Sequence, residues 1–298
     1  MMTLTTRQIE QFQTEGYLLV EDALALADLA PIIDEYATYI DRRAHELLAE
    51  GRISQLYADE SFERRLACIC REDAELYREL DIMHLRGRAS FKFLRNPTLL
   101  DIVECVVGPE ITCSPIQHIR PKLPNGLAPR GSDPHVVPWH QDAGVAWAEA
   151  DAHFILTVWL PLTEATDENG CLQIMPGGHI DGLLRHHTRR GAGTKIVGAE
   201  LPRVHPVTLP MRPGSLLLMH NHLPHRSTKN QTDTVRWSAD LRYQKTGTPT
   251  GRPYHPAFVA RSRANPAAEL NDYAAWCEMW RTALTESQGI RPHRWSEK

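Results

Sequence analysis

The sequence predicts a mainly β fold with flanking helices (α+β): an antiparallel barrel or sandwich, buttressed by helices at the front and closed by another at the end. Three observations carry this expectation. Apolar residues in the first third recur at helical spacing. The second half breaks into short strand-like runs. Pro/Gly-rich stretches such as "KLPNGLAPRGSDP", "MPGGH" and "MRPGS" divide those runs.

Taken in order, Thr5-x-x-Gln8 is a capping box for a first helix, which Gly16 stops. Tyr17–Val20 reads as a short strand. Ile32, Ile33, Tyr36, Tyr39, Ile40, Leu47 and Leu48 follow a helical period up to Gly51. Further helices are expected over about 58–82 and from Pro97 to Val107, before Gly108. Strands are expected at Thr112–Arg120, Phe154–Leu162, Cys171–Met175, Ser215–His220 and Thr234–Gln244. Asn169-Gly170 reads as a hairpin turn. Residues 266 to 287 read as a closing helix. There is no internal repeat or convincing linker, so a single domain over 1–298 is expected.

The bulk numbers exclude several functions. A chain of 298 residues with 42% hydrophobic and 23% charged residues can bury a large core. A net charge of −4 argues against a general nucleic-acid binder. No apolar run approaches the roughly 20 residues that span a bilayer, and the N-terminus has no signal-like apolar region. A cytoplasmic protein without membrane partners is expected. The six Cys form no CxxC pair, so free thiols are expected rather than a zinc ribbon or redox motif.

Fifteen His raise the chance of a metal site and of accidental motifs alike. "PWHQDAG" places His140 and Asp142 two apart. At a strand end they point to one face and can grip one ion. Two imidazoles and one carboxylate hold Fe(II) on one face and leave three positions open. A second such pair, His179-Ile180-Asp181, follows a Pro-Gly-Gly turn and reads as a loop feature. From His140 there is room for three strands before His220, His222 and His225, which compete for the third ligand place. The strand "TVRWSADLRYQ" alternates. Val235, Trp237, Ala239, Leu241 and Tyr243 form an apolar face. Arg236, Ser238, Asp240, Arg242 and Gln244 form a polar one, suited to a wet lumen. A guanidinium there can take a carboxylate, Arg236 with Ser238 beside it or Arg242 as the rival.

"WHQD", "NGCL", "MPGGH", "PGSLLLMH", "HRSTKN" and "VRWSADLRYQ" occur in that order. With the opening "QIEQFQTEGYLLVEDAL", they resemble the phytanoyl-CoA dioxygenase-like branch of the iron(II)/2-oxoglutarate-dependent oxygenases, over most of residues 7 to 244. The resemblance implies a double-stranded β-helix, or jelly roll. Its core would span about 111–245, between a helical part of about 1–110 and a C-terminal helical segment of about 260–290. It implies His225 as the distal ligand, from an H-x-S-x-x-N-like run through Ser227 and Asn230, with His220 as the alternative. It also implies Arg236 as the clamp for the far carboxylate of 2-oxoglutarate, with Ser227, Ser238 and Trp159 nearby. Gln141, Gln117 and His118 are looser implications for the pocket wall.

Fe(II), 2-oxoglutarate, dioxygen and a small-molecule substrate follow as expected partners. The reaction implied is hydroxylation of an unactivated C–H with release of succinate and CO2. The retained Asp142 favours it over the halogenation of relatives that lack the carboxylate. Two other readings stay open: a cupin-like metalloenzyme that does not use 2-oxoglutarate, and a non-catalytic binding protein on the same fold. Trp139, His135 and Trp147 flank the metal motif as candidate substrate contacts or plain loop packing. Asn125 to Pro138 is a candidate lid.

Overall fold

A computed structural model describes residues 3–127, 136–189, 193–291 and 294. The first helix, α1 (Thr6–Glu15), is fixed at both ends by its sequence. Gln8 N–H donates to Thr5 Oγ1 at 3.3 Å, and Thr5 N–H donates to Gln8 Oε1 at 2.9 Å. Gly16 then turns left-handed at φ 74°. A side chain there would also meet the ring of His179 at 2.4 Å. Strand β1 (Tyr17–Val20) and the long helix α2 (Leu26–Ala49) follow.

The stretch expected as one helix over 58–82 is three pieces: α3 (Phe62–Glu72), a 3-10 turn over Ala74–Glu79, and α4 (Ile82–Leu85). Asp73 and Asp81 cause the breaks. Each accepts a hydrogen bond from a backbone N–H two residues on, at 2.9 and 3.1 Å, and so starts a new turn rather than continuing a helix. Helices α5 (Arg88–Phe93) and α6 (Pro97–Val107) complete the front. Asn96 caps α6 and Gly108 ends it.

The rest is a jelly roll of facing antiparallel sheets. The strands are β2 (Glu110–Cys113), β3 (His118–Lys122), β4 (Ile155–Pro161), β5 (Leu172–Ile174), β6 (His186–Arg189), β7 (Gly193–Ile196), β8 (Val207–Leu209), β9 (Leu216–His220), β10 (His225–Ser227), β11 (Arg236–Lys245) and β12 (Phe258–Ser262). The major sheet runs β1-β9-β4-β11-β2-β12, with β3 also on β11; the minor sheet runs β10-β5-β8, and β6 and β7 pair alone. His140 adds itself to β10 by a two-way backbone pair with His225, at 3.0 and 2.9 Å.

Four further sequence expectations change. The run Thr112–Arg120 is two strands, β2 and β3, because Pro115 cannot continue the ladder. Gln117 bridges the break, donating to Ser114 O at 2.7 Å and Arg242 O at 2.8 Å. Asn169-Gly170 does not close a hairpin, since β4 and β5 belong to different sheets; it turns a crossover. Gly170 needs its φ of 89°, and a Cβ there would meet Lys122 Cε at 2.3 Å. The closing helix, α7 (Tyr273–Glu286), starts later than expected, where Asp272 caps it, and β12 precedes it. The sheet therefore extends past 245, with β12 paired to β2, and recruits β1 from the helical front.

The alternation in β11 decides what sits where. Val235, Trp237, Ala239, Leu241 and Tyr243 lie in the large core beneath the helices. Trp237 stacks on Phe62 at 4.8 Å and meets Tyr36 edge-on at 5.6 Å, which fixes the helices to the sheet. The opposite face looks into the space between the sheets. There Trp159, Leu217 and Met219 pack with Cys171, Leu172 and Ile174. All six cysteines are free.

Candidate metal centre and anion pocket

His140, Asp142 and His225 meet between the sheets. His140 comes from the segment paired to β10, Asp142 from the turn that follows it, and His225 from β10 itself. One ligand atom from each lies within 4.8 Å of the others. Asp142 Oδ1 is 3.8 Å from His140 Nε2 and 3.9 Å from His225 Nε2. Each imidazole uses Nδ1 on a backbone carbonyl, Pro138 O and Leu223 O, both at 3.0 Å. That contact puts the proton on Nδ1 and leaves the Nε2 lone pair facing Asp142. Burial, then the neighbouring His225, holds His140 down to about 3, so it is neutral at physiological pH. Burial would raise the Asp142 carboxyl, but its neighbours, Arg242 foremost, together more than offset this and hold it well below the usual carboxylate range. Two imidazoles presenting Nε2 and one carboxylate form the donor set a divalent iron takes, so the residues fit such an ion.

Arg242, taken from sequence as a rival carboxylate clamp, is committed to Asp142. Its Nη2 donates to Asp142 Oδ1 at 2.7 Å and its Nε to Oδ2 at 3.2 Å. Thr157 Oγ1 donates to the same Oδ2. Asp240 supports the guanidinium at 3.3 Å.

Arg236 is different. It is 4% exposed, and its Nη1 donates to Ser238 Oγ at 2.6 Å. Its guanidinium carbon lies 5.2 Å from the centre of the Trp159 ring. Its Nε has no partner, and no carboxylate among the described residues pairs with it. Burial lowers its pKa to about 10, which leaves it charged. Directly across the strand ladder stands Lys122, also buried, whose Nζ donates to Ser227 Oγ at 2.8 Å. Burial, then Arg236, pushes the Lys122 amine down to about 7. Like charges placed opposite each other destabilise a sheet, so this pair makes chemical sense around an anion. Lys122 was missed from sequence because the strand carrying it was ended at Arg120. The alternation His118, Arg120, Lys122 was the available signal.

Other sequence candidates are placed elsewhere. The Gln141 side chain is fully buried but turned to backbone. It donates to Gly182 O at 2.8 Å and His222 O at 2.6 Å, and accepts from Leu184 N at 2.8 Å. Gln117 is spent on the β2–β3 break. His118 binds Asp81 at 3.1 Å. Asn230 holds Lys122 O and Thr234 O and so shapes the turn behind the pocket. His220 sits among Phe154, His179 and His222, not with Asp142. His179 contacts Gln13 O at 3.1 Å. Trp139 lies under Arg226 of β10, and Trp147 lies against Tyr254. His135 and most of the candidate lid, 128–135, lie outside the described residues.

The family model for phytanoyl-CoA dioxygenase (PhyH) matches residues 12–238. Phytanoyl-CoA dioxygenase domain-containing protein 1 of Bos taurus is 36% identical over 103 residues, covering 33% of this chain and only 35% of that protein. Ectoine dioxygenase of Sphingopyxis alaskensis is 24% identical over 286 residues, covering 89% and 85%. Among solved structures, the non-heme monooxygenase ThoJ without ligand superposes with a TM-score of 0.60 at 22% identity, covering 95% of this chain and all of that one. The epimerase SnoN, solved with Fe3+, alpha ketoglutarate and nogalamycin RO, gives 0.56 at 21% identity, covering 83% and 87%.

Proposed function

The chain belongs to the phytanoyl-CoA dioxygenase family, and we propose that it is an iron(II)- and 2-oxoglutarate-dependent dioxygenase that hydroxylates an unactivated C–H of a small-molecule metabolite. One observation carries this reading: a His/Asp/His donor set and a buried cation pair occupy the same lumen, joined by β10. His225 and Ser227 are two residues apart on that strand and so face the same way, about 7 Å apart. That spacing suits a five-carbon diacid that chelates a metal at one end and meets Arg236, Lys122, Ser227 and Ser238 at the other. Bound iron would supply dioxygen activation coupled to decarboxylation of the 2-oxoglutarate to succinate.

The protein's own part is placement and exclusion. Nδ1 contacts fix the imidazoles, and Arg242 fixes the carboxylate. Trp159 and the apolar residues between the sheets keep water from the clamp end around Arg236. Ile116, Ala143, Ala146, Ala150 and Ile155 form an apolar wall beside Asp142 and Arg242. No described helix is long and apolar enough to cross a membrane.

Adding Fe(II) and 2-oxoglutarate without oxygen should produce a visible charge-transfer band. Admitting oxygen should then yield succinate. Absence of the band would support instead a metalloenzyme that does not use the keto acid.

Lys122 gives the co-substrate a pH dependence. The free enzyme loses the Lys122 proton as pH rises through about 7, so binding the dianion above that pH requires proton uptake. The 2-oxoglutarate KM should rise between about pH 7 and 9, by up to about tenfold per unit. The slope should vanish in Lys122→Met, and a slope that persists there would remove Lys122 from the anion site.

A further inference from the structure

The two oxygens of Asp142 have unequal neighbours. Oδ1 faces both imidazole Nε2 atoms and accepts from Arg242 Nη2 at 2.7 Å. A carboxylate oxygen offers about two lone pairs, so Oδ1 keeps one for a metal. Oδ2 accepts from both Thr157 Oγ1 and Arg242 Nε, the latter at 3.2 Å. Both its lone pairs are taken. The two donors are register partners across β4 and β11, in the middle of the major sheet. Thr157 is 0% exposed and Arg242 5%. Arg242 is itself held by Asp240 at 3.3 Å, and its backbone N–H reaches Gln117 Oε1 at 3.4 Å. Neither donor can follow Asp142 if the carboxylate turns.

We propose that Thr157 and Arg242 are positioning residues that restrict Asp142 to one-oxygen ligation through Oδ1. This rests on the metal reading above and adds the reason why three coordination places stay open. A carboxylate that turned to bind through both oxygens would take one of the places a chelating keto acid and dioxygen need.

The test uses Mn(II) in place of iron and counts bound waters from line broadening in 17O-enriched water by electron paramagnetic resonance. Native protein should show three exchangeable waters. Thr157→Val, which keeps the shape and removes the hydroxyl, should show two. Mn(II) affinity should shift by about 10–100-fold, the usual effect of disturbing a ligand's hydrogen-bond partner. Thr157→Ser should restore three waters and native affinity. Arg242→Gln should behave as Thr157→Val does; if it does not fold, the threonine pair decides alone. Three waters and unchanged affinity in Thr157→Val would overturn the positioning role and leave the metal site standing. No Mn(II) binding by native protein would overturn both.

Discussion

His225→Ala is expected to reduce succinate formation to below about a thousandth of native, because an open metal site loses several kcal/mol of transition-state stabilisation with its ligand. Metal content after dialysis should fall with it. His220→Ala should keep both, although His220 lies on a strand end only five residues away. The contrast is geometric. His225 shares a two-way backbone pair with His140 and points Nε2 at Asp142. His220 packs on Phe154, and its Nδ1 accepts the His222 N–H at 3.0 Å. Equal losses in the two variants would mean that the third ligand is wrongly assigned.

The second large effect concerns Arg236, and it has opposite signs on binding and stability. Arg236→Met should raise the 2-oxoglutarate KM about 10–100-fold, the worth of a charge-assisted hydrogen bond of roughly 1.5–3 kcal/mol. At saturating co-substrate, kcat should change little. Yet the ligand-free protein should be no less stable, and can gain stability. Among the described residues the buried guanidinium hydrogen-bonds only the Ser238 side chain, and it carries a desolvation cost that methionine removes. Parallel thermal melts and 2-oxoglutarate titrations separate the two effects. A loss of more than about 2 kcal/mol of stability would mark Arg236 as a structural residue.

Much of this arrangement is written locally in the chain. Thr5 and Gln8 cap each other across one helical turn. The period of two along β11 sorts Trp237 to the core and Arg236 to the lumen before any partner is known. The order of His140, Asp142, His225 and Arg236 supplies the resemblance on which the ligand assignment leans. What was not legible depends on partners distant in sequence. Gln141 and Gln117 look like pocket residues, but their amides are claimed by carbonyls 41, 81 and 125 residues away. β10 is three residues long and exists because β5 and His140 flank it. Arg242 and Arg236 share one polar face and one residue type. Only the cross-strand neighbours tell them apart, Thr157 beside Asp142 for one and Lys122 for the other.

The most direct test is a crystal grown without oxygen from protein loaded with iron and 2-oxoglutarate, with the ion located by anomalous scattering at the iron edge. The account predicts one strong peak bonded to His140 Nε2, Asp142 Oδ1 and His225 Nε2, with the far carboxylate of the keto acid against Arg236. A peak among His179, His220 and His222, or a keto acid bound away from Arg236, would contradict it.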